Sequence, residues 1–313
     1  MTEVRKQVTM SVCDQHFVWE YKFWRDVSLQ APTQPTFWII VLGLFGLAGL
    51  FLYFENTSLQ LTEYQISFDT LPKEFDGFRI ALVSDLHGSV FGKGQSRLVS
   101  KISDFQPDII TIAGDLFDER EFTPKPAEIF IENCKDIAPL FYVTGNHEIY
   151  SPYLDSFVEA MRDHNITFLR NDVAIIRKGS SEIALIGIDD PLVFSEHSQK
   201  QKEGCARSLS GISSKIDEDT FTILLSHRPD FIEIYASSDI DLVLSGHAHG
   251  GMIRIPGIGG VISPGQGFMP KYTEGVYREK QTTMVVSRGL GNSGRFQVRI
   301  FNRPEIVLIT LTK

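Results

Sequence analysis

SGHAHGG, residues 245–251, decides how this chain is read, because two histidines, His247 and His249, stand one residue apart straight after an apolar strand, Asp241 to Leu244. A strand alternates its faces, but the glycines around the pair free the backbone to turn, so both imidazoles can be aimed into one pocket. Working outward, four other strand ends carry side chains of the same chemical kind. They are SDLHG with Asp85 and His87, GDLFD with Asp115 and Asp118, GNHE with Asn146 and His147, and SHRP with His227. Any one histidine alone would more often be a satisfied core or surface residue than a ligand; five of the chain's eight in ordered strand-end motifs reverse that expectation. The other three, His16, His164 and His197, carry no motif and are assigned nothing.

From Glu55 onward apolar runs alternate with helical spacing. Leu59 to Phe68 reads as an edge strand and Phe78 to Val83 as a buried strand ending in SDLHG. Lys93 to Phe105 reads as a helix, Asp108 to Ala113 as a strand ending in GDLFD, Ala127 to Ile137 as a helix, and Leu140 to Val143 as a strand ending in GNHE. A helix near Tyr153 to Asp163 comes next, then strands at Ile166 to Leu169, Ala174 to Arg177 and Ile183 to Ile188. The polar stretch Ser195 to Ser214 is a helix or cap, Phe221 to Leu225 ends in SHRP, and a glycine-rich tail of hairpins closes on a last strand, Glu305 to Leu311. In an α/β sandwich the carboxyl ends of the strands are where sites assemble, so the motifs fall on one rim.

Seven oxygen and nitrogen donors without a thiolate on one rim suit a pair of borderline divalent ions, manganese, zinc or ferrous iron. A shared carboxylate bridges such ions at about 3.5 to 4 Å, where they clamp the attacking and leaving oxygens of an in-line phosphoryl displacement. A bridging water, its pKa lowered by both charges, would be the nucleophile.

Composition bounds the partners. With 30 Lys and Arg against 39 Asp and Glu, a net charge of −9, the chain lacks the footprint of a duplex nucleic-acid binder, and no nucleic-acid partner is expected. Cys13, Cys134 and Cys205 lie far apart without ligand spacing, which indicates neither a zinc ribbon nor a disulfide framework but small buried thiols. Residues 37–54, FWIIVLGLFGLAGLFLYF, hold no charge. As a helix they would span roughly 27 Å, close to the hydrocarbon thickness of a bilayer. Aromatic residues at both ends, Phe37, Trp38, Tyr53 and Phe54, fit interfacial belts, so a single-pass membrane helix is expected. Ahead of it, residues 1–36 form a tail in which His16 to Asp26 reads either as an interfacial segment or as a floppy one, and Thr33 to Thr36 as a linker. Residues 56–313 form one soluble domain. Lys22 and Arg25 precede the helix closely and the next basic residue is Lys73, a bias that places the domain on the outer side of the membrane.

The ordered set DxH, GDxxD, GNHE, H and GHxH, from Asp85 to His249, resembles the calcineurin-like metallophosphoesterases over nearly the whole soluble part. That resemblance implies a four-layer α/β/β/α sandwich, preceded here by the membrane helix. HAHGG, then RIP, KYTEGVY, SRGLGNS and NRPEIVLITL in turn, is similar to a membrane-anchored bacterial branch that hydrolyses UDP-2,3-diacylglucosamine, with departures at Met252 and Phe296. The family implies Asp85, His87 and His249 on one ion, Asn146, His227 and His247 on the other, and Asp115 bridging. It also implies that His147 is not a ligand but stands over the phosphate and protonates the departing oxygen. Asp118 is then placed to orient a histidine or simply to cap its turn, and Glu148 to support the site or to open a helix. Arg228, Lys271, Arg288 and Arg295 lie in or near the motif loops, to grip a diphosphate or to pair with surface carboxylates.

The expected activity is hydrolysis of a phosphodiester or diphosphate bond in a phosphorylated small-molecule or lipid substrate held beside the membrane. A nucleotide lipid would be met on the cytoplasmic face, whereas the charge bias points outward and favours a cell-wall or extracellular phosphodiester. A non-catalytic metal-binding sensory module would be expected to have lost His147 or Asp115, and both are present.

Overall fold

Short apolar runs that must be covered on both faces form the centre of the molecule: Arg79–Val83, Ile109–Ala113, Leu140–Val143 and Leu242–Ser245 are buried almost throughout. The computed structural model describes residues 35–118, 124–292 and 298–313. The tail 1–34, with Cys13, His16, the segment to Asp26 and most of the expected linker, lies outside the described residues, as do 119–123 and 293–297, the latter with Arg295 and Phe296.

The chain divides into two compact units, Met1–Leu47 and Ala48–Lys313. The described part of the first is helix. Helix α1 (Pro35–Thr57) has no basic or acidic side chain in its apolar run and is long and apolar enough to cross a membrane.

In the second unit the order is β1 (Gln60–Ser67), β2 (Arg79–Val83), α2 (Ser96–Phe105), β3 (Ile109–Ala113), α3 (Lys125–Cys134), β4 (Leu140–Val143), α4 (Asn146–Tyr150), α5 (Leu154–Met161), β5 (Ile166–Phe168), β6 (Asp172–Lys178) and β7 (Ser181–Gly187). Next come α6 (Ser198–Ser213), β8 (Thr222–Leu225), α7 (Ile232–Tyr235), β9 (Leu242–Ser245), the short hairpins β10 (Arg254–Ile255) with β11 (Gly259–Gly260) and β12 (Ile262–Ser263) with β13 (Gly267–Phe268), and finally β14 (Gly275–Glu279), β15 (Thr282–Val286) and β16 (Glu305–Thr312).

Two six-stranded sheets result, β1-β16-β2-β3-β4-β5 and β14-β15-β9-β8-β7-β6. Their inner faces meet in a core that includes Ile80, Leu82 and Val143 from one and Leu185, Leu225 and Leu244 from the other. The outer face of the first sheet buries Leu98, Ile102, Phe130 and Phe157, and that of the second buries Cys205, Leu209 and Tyr235. Helices therefore cover both outsides, an α/β/β/α sandwich.

β1 is an edge strand, as its alternating pattern demands, but the last strand is not appended after the hairpins. β16 inserts between β1 and β2, parallel to the first and antiparallel to the second, which ties the chain's end to the strand that leads to Asp85. β2, β3 and β4 are mutually parallel, and so are β7, β8 and β9, so their carboxyl ends open onto common edges. Cys134 and Cys205 are buried free thiols.

Candidate metal centre

The loops leaving the strands bend at once, and the bend is made by the functional residues themselves. Asp85, His87, Asp115, His247 and His249 have φ of 51°, 44°, 55°, 65° and 47°. A non-glycine residue pays steric strain in this left-handed region, and such strain collects where a site over-determines the backbone. Gly145 has the close-approach reason for being glycine: a Cβ there would lie 2.1 Å from Asp115 Oδ1.

All seven sequence-derived candidates come together. Ligand-type atoms of Asp85, His87, Asp115 and His249 lie within 4.8 Å of one another, and so do those of Asp115, His227 and His247, so Asp115 belongs to both groups. His227 Nε2 is 3.1 Å from Asp115 Oδ2, 3.2 Å from Asn146 Oδ1 and 3.1 Å from His247 Nδ1. Nδ1–H of His227 donates to the Ala113 carbonyl at 2.7 Å, so Nε2 is the nitrogen that carries the lone pair once a bound cation displaces the ring's second proton. Lone pairs of two oxygens and two nitrogens thus face one point. A single proton satisfies one contact there, whereas a cation satisfies all four. On the other side His87 Nε2 is 3.6 Å from Asp115 Oδ2, His249 Nε2 is 3.5 Å from Asp85 Oδ1, and the rings of His87 and His249 stack at 5.0 Å. Among the described residues neither Asp115 Oδ2 nor His87 Nε2 has a hydrogen-bond partner, although both are buried. Orphaned acceptors of this kind, all nitrogen and oxygen, fit two borderline divalent ions that share Asp115.

The electrostatics agree. Burial pulls the His227 imidazole down, but the Asp115 carboxylate outweighs it and holds the ring up at about 10. Burial alone dominates at His249 and draws it down to about 3. The His227 position beside the shared carboxylate attracts positive charge, whereas His249, in the group with Asp85 and His87, stays neutral.

Around these donors lie the supports. Asp118 Oδ1 is 2.5 Å from His147 Nδ1 and 3.3 Å from His87 Nδ1, so one carboxylate faces both rings, the geometry that orienting a histidine requires. Burial raises the Asp118 carboxyl, yet hydrogen bonds from His147 and His87 hold it well below the usual range. Glu148, fully buried, accepts the backbone N–H of Asp115 at 2.9 Å, Leu116 at 2.5 Å and Gly145 at 2.9 Å, which laces the GDLFD loop to the GNHE loop. Burial first, then the charge of Asp115, pushes its carboxyl up to about 7.

The basic residues divide. Arg228 is nearly buried, pairs with Asp230 and stands beside His247 under the turn at Gly265, whose Cβ position is 2.9 Å from Arg228 Nη2 and 3.3 Å from His247 Nε2. Arg288 is buried between Glu274 at 3.1 Å and Glu305 at 3.0 Å, which makes it a carboxylate partner in the interior. Lys271 lies over the Tyr272 ring, and Arg295 lies outside the described residues. His164 pairs with Glu132 at the surface.

Sequence reasoning missed a third layer. Asn302, fully buried, donates from Nδ2 to the carbonyls of His249 at 2.7 Å and Met252 at 2.9 Å, and so pins the HAHGG turn. Its own N–H donates to Glu55 Oε2 at 2.8 Å, in the last turns of α1. Asn56 Oδ1 accepts the N–H of Arg299 at 2.8 Å, and the Arg299 guanidinium donates to the carbonyls of Arg288, Gly291 and Asn302. No local pattern pointed to this layer, since Asn302 and Glu55 stand 247 positions apart in the sequence.

Residues 78–251 match the family described as calcineurin-like phosphoesterase. The chain is similar to the uncharacterized metallophosphoesterase YkuE of Bacillus subtilis, 29% identical over 84% of this chain and 89% of that one. It is also similar to a transmembrane protein with metallophosphoesterase domain from Danio rerio, 30% identical over 90% of this chain and 64% of that one. Among solved structures, a dimetal phosphatase from Danio rerio is 13% identical over 68% of this chain and 88% of that one, with a TM-score of 0.40. With its strand-end motifs gathered around a shared aspartate and the match covering more than half its length, the chain belongs to the calcineurin-like phosphoesterases, metal-dependent hydrolases of phosphoric esters.

Proposed function

We propose that this chain is a membrane-tethered dinuclear phosphoesterase that cleaves a phosphodiester or diphosphate bond in a lipid-linked substrate. The observation that carries the reading is that Asp115 belongs at once to a group with Asp85, His87 and His249 and to a group with His227 and His247, with Asn146 Oδ1 against His227. In this reading the first three hold one ion, Asn146, His227 and His247 hold the other, and Asp115 is shared. When bound, the ions supply Lewis acidity at the phosphoryl oxygens and an activated water. His147, held through Nδ1 by Asp118, gives its proton to the departing oxygen and offsets charge on the phosphate. Arg228, fixed by Asp230, offers its remaining N–H donors to the phosphate next to His247.

The substrate class comes from tether and motifs together. A membrane helix whose last turns are hydrogen-bonded into the rim of the centre raises the local concentration of a membrane-borne substrate without any contact of its own. The RIP, KYTEGVY and SRGLGNS motifs support a UDP-2,3-diacylglucosamine-like nucleotide lipid. Because Glu55 and Asn56 contribute to the rim, the functional domain starts ahead of residue 55.

The test is hydrolysis by the full chain in detergent, with manganese, zinc or ferrous iron, of bis(p-nitrophenyl) phosphate and of UDP-diacylglucosamine, with products read by mass spectrometry. Release of UMP and a lipid monophosphate is expected. No turnover of either compound with any of the metals would defeat the enzymatic reading, and turnover of the first alone would move the substrate to another phosphodiester. The basic residues Lys22 and Arg25 favour a second reading, an outward-facing domain acting on envelope phosphodiesters. With Cys13 replaced by serine, labelling a cysteine introduced on the domain surface in intact cells decides it, since Cys134 and Cys205 are buried.

A further inference from the structure

Away from the metal centre, a cavity of about 740 Å³ lies where the last turns of α1 meet α2. One wall is Tyr53, Phe54 and Thr57 and the other carries Arg97, Ser100 and Lys101. Arg97 and Lys101 are one helical turn apart on α2, beside the stripe of buried Leu98, Ile102 and Phe105, and both line the cavity with the helix end. The Arg97 guanidinium hydrogen-bonds the Thr57 carbonyl, which holds it at the cavity. A third cation, Arg303, lies over the Phe54 ring at 5.5 Å, and among the residues lining the cavity the acidic side chain is Asp104. Glu55 is turned away into its bond with Asn302.

We propose that this cavity binds the phosphate headgroup of an anionic glycerophospholipid. The inference rests on the reading that α1 spans a membrane, and it is independent of the metal centre. Tyr53 and Phe54 are exposed and close the uncharged run of α1, which sets the cavity at the depth where aromatic residues and headgroups sit. A guanidinium with N–H donors to spare and an ammonium one turn away suit a phosphate diester, and acyl chains extend along the apolar helix surface. A soluble phosphate would gain the cations but not the apolar wall.

The experiment uses the full chain in nanodiscs of phosphatidylcholine with phosphatidylglycerol, and native mass spectrometry counts the lipid retained on the released protein. Preferential retention of phosphatidylglycerol is expected, weakened about thirtyfold in the Arg97→Gln, Lys101→Gln double variant. The control Lys200→Gln, Lys202→Gln, on the exposed side of α6, retains it as the parent does. Unchanged retention in the first double variant, with an unchanged melting temperature, overturns the site. Displacement of the lipid by an equal concentration of glycerol phosphate overturns the lipid as ligand. Release of the chain from membranes by alkaline carbonate defeats the spanning reading itself; a chain that stays in the carbonate pellet but shows no phosphatidylglycerol preference defeats only the lipid site.

Discussion

Asn302→Ala removes the side-chain amide that pins the HAHGG turn and keeps the backbone N–H that reaches Glu55 at the end of α1. In the parent its two Nδ2–H groups reach the carbonyls of His249 and Met252 at 2.7 and 2.9 Å in a fully buried position. Truncation leaves two buried acceptors short of a donor, worth about 2 to 4 kcal/mol together. His249 holds a left-handed φ of 47° that this amide helps to impose, so part of the loss appears at the metal centre, as a 10- to 100-fold weaker affinity, roughly the effect of losing an outer partner of a ligand. Asn302→Asp sharpens the test. It keeps the volume, but it turns two donors into acceptors that face carbonyl oxygens and brings a negative charge near Glu55, whose Oε2 is 2.8 Å from the Asn302 N–H. The order of both stability and metal affinity is therefore Asn, then Ala, then Asp. Thermal unfolding of metal-free protein and manganese titration monitored by electron paramagnetic resonance measure the two separately. An Asp variant that outperforms the Ala variant in both would show that shape rather than hydrogen-bond direction governs the turn, and the reasoning would fail.

His147→Ala is expected to lower kcat about 10²- to 10⁴-fold while bound metal, measured by mass spectrometry, stays near the parent's; loss of metal would put His147 among the ligands. Asp118→Asn, which keeps the shape but not the charge that fixes His147 and His87, should lower kcat about 10- to 100-fold with little change in KM, and an unchanged kcat would leave that carboxylate without a role. Glu55→Ala in the full chain should destabilise the metal-free protein by about 1 to 3 kcal/mol, because a buried N–H of Asn302 loses a charged acceptor; a melting temperature equal to the parent's would detach α1 from the rim. Burial pushes the thiols of Cys134 and Cys205 up from 9.0 to about 12. These raised values make their contribution whole below pH 9 and erode it as the pH climbs toward 12. A variant with both cysteines replaced by alanine should thus lose about 3 kcal/mol less than the parent between pH 8 and pH 10, and parallel unfolding curves across that interval would refute it.

The strand-end donors were legible because each announces itself locally. A run such as IITIA can only be a strand covered on both faces, and the residues just after it, Asp115 and Asp118 in GDLFD, must then stand at a carboxyl end. Asp118 was readable for the same reason, three residues from the shared carboxylate. Arg288 was not, since nothing in SRGLGNS says that the guanidinium faces Glu274 and Glu305; that depends on β16 slipping between β1 and β2, a choice of pairing rather than of pattern. Glu148 could be either a helix-opening carboxylate or a support, and the structure makes it both: it opens α4 and closes on N–H groups more than thirty residues away. Asn302 and Glu55 were silent, because a contact between residues 247 positions apart leaves no trace in local composition.

The features that look like defects in the protein alone share one cause. Five candidate side chains sit on left-handed backbone, among the described residues Asp115 Oδ2 is buried with no hydrogen-bond partner, His227 Nε2 faces Asp115, Asn146 and His247 at once, and Glu148 lies close enough to Asp115 for the two to raise each other's energy. Each is unfavourable with protons as the only cations available, since one proton relieves one contact and leaves the rest opposed. Two divalent charges on either side of Asp115 would turn the same contacts attractive, settle Glu148 as the carboxylate its three N–H partners require, and recover the strain in the turns. The frame that withstands these strains is the rest of the fold: two sheets packed face to face, a last strand threaded beside β2, and a helix end bolted through Glu55, Asn56, Arg299 and Asn302 to the loop that carries His249.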